Sequence, residues 1–316
     1  MAASDVTTPM AIVDSHHHVW DPAAHAQPWL DSDDALAPLR RNFSVADLAP
    51  QAAAAGVVST VVVQTITEQA ETPELLSLVG AGSLVAAVVG WTDLTAASVG
   101  DDLGGLRDLP GGAHLAGIRH PLLTEPDDSW LARSDVQRGL RATAAAGLTF
   151  DLVLRPGQLP AAVGAAASLP ELTFVLDHLG NVDVDAGPQI DESWAEPFSE
   201  FAALPNTVCK LSGILSAGTS RADSEPDQAS PSQDSTGQGN PGQGGIDRLR
   251  PYVDLALEHF GPGRLMFGSD WPVCTLSASY ADVVTAAVTL TLELSDADRY
   301  AILAGTARRV YRIPSA

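Results

Sequence analysis

Short β-branched apolar stretches alternate along this chain with longer stretches rich in Ala and Leu, and no other feature constrains the fold as strongly. Strands are predicted at 12–18, 57–64, 84–91, 115–120, 150–155, 173–178, 207–212 and 264–270. Helical segments are predicted at 45–55, 73–80, 134–146, 159–167, 194–204 and 249–260, with two closing helices at 281–292 and 296–311. Ser295 precedes Asp296 and Asp298, which is the composition of a helix N-terminus. Strands that alternate with helices form a parallel sheet. Eight such units in 316 residues predict an α/β fold, a (β/α)8 TIM barrel in a single domain spanning 10–316. An open doubly wound sheet is the alternative. It loses support because no G-x-G-x-x-G follows the first strand and no Walker sequence occurs. The chain also lacks the G-x-S-x-G elbow of a serine hydrolase.

Apolar residues make up 45% of the chain, enough for a substantial core. No apolar run reaches the ~18 residues of a membrane helix. Residues 1–9 lack the basic and apolar pattern of a secretory signal. These features set the expectation of a soluble cytoplasmic protein. A formal net charge of −22 argues against nucleic acid and anionic membrane surfaces as partners. Cys209 and Cys274 read as buried free thiols. Segment 217–245 has no Val, Ile, Leu, Met, Phe, Trp or Tyr and is expected to be a disordered low-complexity insertion after the seventh strand. A lid over the site is the other reading. Nothing in the sequence sets an oligomeric state.

Active sites of such barrels lie at the C-terminal ends of the strands. Those predicted ends carry His16 and His18, Gln64, Trp91 and Asp93, Arg119 and His120, Arg155, Asp177 and His178, Lys210 and Ser212, and Asp270. Polar groups at the exit of every strand, above apolar strand bodies, are hard to produce by accident. Along a strand Asp14, His16 and His18 share one face and His17 takes the other. Two imidazoles so placed can reach one metal ion, and Asp270 could complete the site. His17 is expected to be structural. His178 could cap a strand and Asp270 the turn before Pro272, but the chemical role is the preferred reading of both. Trp20, Trp29 and Trp91 read either as core or as flat faces for a sugar ring. Lys210 and Arg119 either pair with local acids or touch substrate.

In order, the motifs are Asp14-Ser15-His16-His17-His18-Val19-Trp20-Asp21, Gly90-Trp91-Thr92-Asp93-Leu94, Gly117-Ile118-Arg119-His120, Asp177-His178-Leu179-Gly180, Cys209-Lys210-Leu211-Ser212-Gly213 and Gly268-Ser269-Asp270-Trp271-Pro272. This series resembles the amidohydrolase superfamily, in its amidohydrolase-related branch with sugar lactonases. The resemblance implies that His16, His18, His178 and Asp270 are the metal-site positions. The fifth strand ends without the ligand histidine of metal-rich members, and Arg119 and His120 stand where their strand-four bridging residue would be. One divalent ion, zinc by its ligand types, is therefore implied rather than two. Metal-independent catalysis stays open, because some lactonases of this branch work without metal.

The activity implied is hydrolysis of a sugar-acid lactone. Asp270 would take a proton from water, with His178 beside it as the second catalytic residue. The histidine cluster or a metal ion would polarise the carbonyl. Trp20, Trp29, Gln64, Trp91, Arg119, His120 and Lys210 would position the hydroxylated ring. The alternatives are a metal-dependent non-oxidative decarboxylase of the same superfamily and a binding barrel without catalysis.

Overall fold

The computed structural model describes residues 10–184, 190–213 and 241–314. Eight parallel strands form one sheet in sequence order: β1 Ile12–His17, β2 Val57–Val63, β3 Val85–Gly90, β4 Leu115–Pro121, β5 Thr149–Val153, β6 Phe174–Leu176, β7 Thr207–Leu211 and β8 Leu265–Phe267. Neighbours from β1 to β8 pair in parallel ladders. Between β1 and β8 an isolated bridge, His17 with Trp271, brings the ring to near closure. The expected (β/α)8 barrel is what the chain forms.

Strand periodicity sorts the core. On β2, Val61 and Val63 face inward with Val89, Val175 and Met266, while Val62 faces the helix layer with Val88 and Ile118. The helices between strands are α1 Val45–Ala54, α2 Glu71–Ser77, α3 Val99–Asp108, α4 Ser134–Ala145, α5 Leu159–Ser168, α6 Glu192–Ala203 and α7 Pro241–Phe260. Helix α8 Tyr280–Leu290 follows β8, and α9 Asp296–Tyr300 runs through a π turn into α10 Thr306–Val310. This last unit presses Ala304, Ala307 and Tyr311 onto the inward-facing strand residues.

Four elements differ from the sequence expectation. Helix α3 has no counterpart there, because its Gly104-Gly105 pair and two buried residues, Val99 and Leu103, leave almost no apolar stripe. β6 and β8 end two and three residues before His178 and Asp270, where the backbone turns left-handed: φ is 54° at His178, 53° at Leu179 and 58° at Asp270. Of the insertion expected over 217–245, residues 217–240 lie outside the described residues. Residues 241–245 are not coil but open α7.

Candidate active site

Four of the predicted residues converge at the C-terminal mouth of the barrel. The Nε2 atoms of His16 and His18 are 3.1 Å apart. Asp270 Oδ1 lies 3.8 Å from His16 Nε2, 3.5 Å from His18 Nε2 and 3.9 Å from His178 Nε2. Each imidazole is held from its other nitrogen. His18 Nδ1 donates to the Val63 carbonyl at 2.8 Å, which leaves the Nε2 lone pair facing the site. His178 Nδ1 is 2.8 Å from the Ser212 hydroxyl. His16 Nδ1 faces Lys210 Nζ at 3.1 Å and Asp177 Oδ1 at 3.4 Å. Burial, reinforced by Arg119, pushes the His18 imidazole down to about 3; burial also lowers His178 and holds His16 well below the usual range. The three rings are therefore neutral at physiological pH and suited to ligate a cation or accept a proton.

Two glycines make this convergence possible. A Cβ on Gly268 would lie 2.7 Å from the Cβ of His16, and one on Gly213, at φ +64°, would lie 2.7 Å from His178 Nδ1.

Beneath the histidines lies a buried charge network. Lys210 Nζ is 2.7 Å from Asp151 Oδ2 and 2.9 Å from Asp177 Oδ1. Arg119 Nη1 pairs with Asp177 Oδ2 at 3.2 Å and reaches His16 Nε2 at 3.4 Å, and Nη2 donates to the Gln64 carbonyl. Tyr311 donates to Asp151 at 2.5 Å, which ties the closing helix to the site. Burial works to raise the Asp177 carboxyl, but Lys210, His16 and Arg119 more than offset it and hold it well below the usual carboxylate range.

A cavity of about 700 Å³ opens above this floor. His18, Gln64, Arg119, His178 and Asp270 line its base, and Trp29, Leu36, Ile66, Leu123 and Val182 belong to its apolar wall. The other predicted contacts lie elsewhere. Trp20 is core: its indole packs on Trp29 and Phe43 and donates to the Leu39 carbonyl. Trp91 donates to His120 Nδ1, while His120 stacks on Trp130 at 4.2 Å and meets Glu125 at 2.8 Å, so both are committed to loop packing. Lys210 is fully buried and reaches the site through Asp177 and His16. His17 is structural as expected, with Nε2 2.9 Å from Thr60 Oγ1. Asp151 and Tyr311 were missed. The signal for Asp151 was present: alternation along Phe150-Asp151-Leu152 directs the acid into the barrel if both neighbours face the helices.

Among the described residues, two groups have ligand atoms close enough for one ion: His16, His18 and Asp270, and His16, Asp177 and His178. A tetrahedral zinc with bonds of about 2.1 Å separates its ligand atoms by roughly 3.4 Å. The first group matches this, with spacings of 3.1, 3.5 and 3.8 Å. A family model described as amidohydrolase matches residues 13–313. The chain belongs to the amidohydrolase family. Within it, an L-fucono-1,5-lactonase from Burkholderia multivorans is 33% identical over 308 residues, covering 96% of both chains. One from Burkholderia ambifaria is 34% identical over 270 residues, covering 85% of this chain and 83% of the relative. A crystal structure of an amidohydrolase from Burkholderia multivorans with bound zinc superposes with a TM-score of 0.83 at 32% identity, covering 96% of this chain and all of that one. No described helix of this amidohydrolase is long and apolar enough to cross a membrane.

Proposed function

We propose that this amidohydrolase hydrolyses the lactone of a sugar acid. One observation carries the reading: neutral His18 and His178 meet Asp270 within 3.9 Å at the base of a cavity of about 700 Å³, in a chain whose 33–34% identical relatives are L-fucono-1,5-lactonases. Asp270 takes the proton of the attacking water as general base. It then returns that proton to the ring oxygen as the ester bond breaks. His178, its Nδ1 side held by Ser212, orients the water. Arg119 stands at the cavity base as a donor for the oxyanion of the tetrahedral intermediate. Gln64 and the Trp29 face position the hydroxylated ring.

His16, His18 and Asp270 fit a single divalent ion, and zinc suits their donor types. Bound there, it would supply Lewis acidity toward the lactone carbonyl. The second group does not fit another ion, because Asp177 is already engaged by Lys210 and Arg119. Charge at the cavity disfavours the decarboxylase alternative. Arg119 is the sole lysine or arginine lining it among the described residues, whereas Asp33, Glu68, Asp183 and Asp270 all line it. A substrate carboxylate meets repulsion there; an uncharged lactone does not.

The test is a pH-indicator screen of aldono-lactones beside hydroxybenzoates. Acid release from uncharged 1,5-lactones is expected. Loss of carbon dioxide from a hydroxybenzoate, with every lactone intact, overturns the reading.

A further inference from the structure

The seam between β1 and β8 is the place where the barrel ring is held by one isolated bridge rather than a ladder, and it carries His16, His18 and Asp270. Side chains reinforce the few main-chain bonds there. Asp14 Oδ1 accepts from the His16 N–H at 3.1 Å within β1 and from the Ser269 N–H at 2.8 Å across the seam. Its other oxygen accepts from the Tyr280 hydroxyl of α8 at 3.1 Å. Around this carboxylate the Asp270 N–H donates to the His16 carbonyl at 2.8 Å, and the His18 N–H to the Trp271 carbonyl at 2.7 Å. Asp14 is fully buried, lies outside the cavity, and pairs with no lysine or arginine among the described residues. Burying such a group is costly, so its retention calls for a return.

We infer that Asp14 is a positioning residue, whose carboxylate clamps the His16 and Asp270 segments at the β1–β8 seam and sets the spacing of the ligand and base atoms. The geometry explains why a clamp is needed. Asp270 sits in a left-handed conformation at φ 58°, off the end of its strand, where its N–H bond to the His16 carbonyl and the isolated bridge beside it stand in for a ladder. Loss of the Ser269 contact frees the very residues that aim Asp270 at the histidines. Displacements of about 1 Å at a reacting centre cost on the order of 10² in rate.

The inference rests on the lactonase reading for its kinetic arm, but zinc affinity tests it independently. Asp14→Asn keeps an acceptor for both N–H groups and can donate to the Tyr280 oxygen; Asp14→Ala removes the clamp. Asp14→Ala is expected to lower kcat at least about 10²-fold with KM changed less than about threefold. Its zinc affinity, read by competition with a chromophoric chelator, should weaken about 10-fold or more. Asp14→Asn should restore both to within about fivefold. Should Asp14→Ala fail to fold, Tyr280→Phe removes one anchor of the same carboxylate, and a loss of kcat and zinc affinity of at least about threefold is expected. A folded Asp14→Ala with near wild-type kcat and zinc affinity overturns the clamp, as does Asp14→Asn matching Asp14→Ala, or an unchanged Tyr280→Phe. If wild type binds zinc but opens no lactone, the lactonase reading fails while the affinity arm still decides the clamp.

Discussion

Lys210 and Asp151 form an ion pair of 2.7 Å with neither side chain exposed to solvent, on strands β7 and β5 of the barrel interior. Such a pair is a poor source of net stability, yet breaking it is expensive. The partner left behind is a carboxylate in a low-dielectric interior, here with Asp177 beside it.

Lys210→Met should therefore destabilise the fold by about 3–5 kcal/mol. Lys210→Met combined with Asp151→Leu should recover part of that loss, since the second change removes a stranded charge. Chemical denaturation of the two variants measures the difference. A double variant no more stable than Lys210→Met would assign Lys210 a role other than neutralising Asp151.

Trp20 and Trp29 make a paired contrast, because they touch each other but only Trp29 lines the cavity. Trp20→Ala should cost about 3–5 kcal/mol as a cavity opens in the core. Trp29→Ala should raise KM with a smaller change in stability. Thermal unfolding and steady-state kinetics separate the two. The opposite pattern would return Trp20 to the substrate site.

Stability should fall as pH is lowered from about 7 toward 5. Burial holds His17 and His18 down to about 3, against an ordinary value of 6.5. Below pH 6.5 the unfolded chain binds protons that the folded chain refuses, so this stability is present above 6.5 and lost as pH falls toward 3. Asp14 acts in the other direction. Burial raises it to about 6, so its contribution is present below 3.8 and lost as pH rises through 6. Between those limits it offsets about one histidine. Two histidines against Asp14 alone give a net slope of roughly 1.4 kcal/mol per pH unit; His16 and His178 add to it, and Asp151 and Glu71, whose carboxyls burial also raises, subtract from it. Denaturant midpoints across pH 5–7.5 check the sign; a midpoint rising toward pH 5 would contradict buried neutral histidines.

Most of the barrel was legible because alternation is a strong signal where strands are β-branched, as in the Val57–Val63 run. Helix α3 escaped because Gly104 and Gly105 erase its propensity. The convergence that makes the candidate site was legible at His16, His18, His178 and Asp270, which stand beside strand ends that the pattern defines. It was less so for Trp20, Trp91, His120 and Lys210. A residue's position at a strand end says nothing of whether a neighbour such as Phe43, Glu125, Trp130 or Asp151 claims its side chain first. The ties from α8 and the closing helix to Asp14 and Asp151 were hidden for the same reason: Tyr280 and Tyr311 lie 266 and 160 residues away from the acids they meet.

Asp270→Asn is the sharpest test of the chemistry. Asn tolerates the left-handed conformation that Asp270 adopts at φ 58°, so the backbone turn should survive the change. The amide keeps the size and one acceptor oxygen but cannot take a proton from water. General base catalysis contributes about 10²–10⁴ in rate, so kcat should fall by at least that factor. KM should move less, since the proposed positioning of the ring rests on Gln64, Trp29 and Arg119, which line the cavity and are unchanged. Zinc affinity should weaken as well, because an anionic ligand is replaced by a neutral one. The variant's unfolding temperature should stay within a few degrees of wild type, which separates a chemical defect from a folding one. Retention of more than about a tenth of kcat would place the base elsewhere. His178 would then take that role, since it is neutral, lines the cavity and lies 3.9 Å from Asp270 Oδ1.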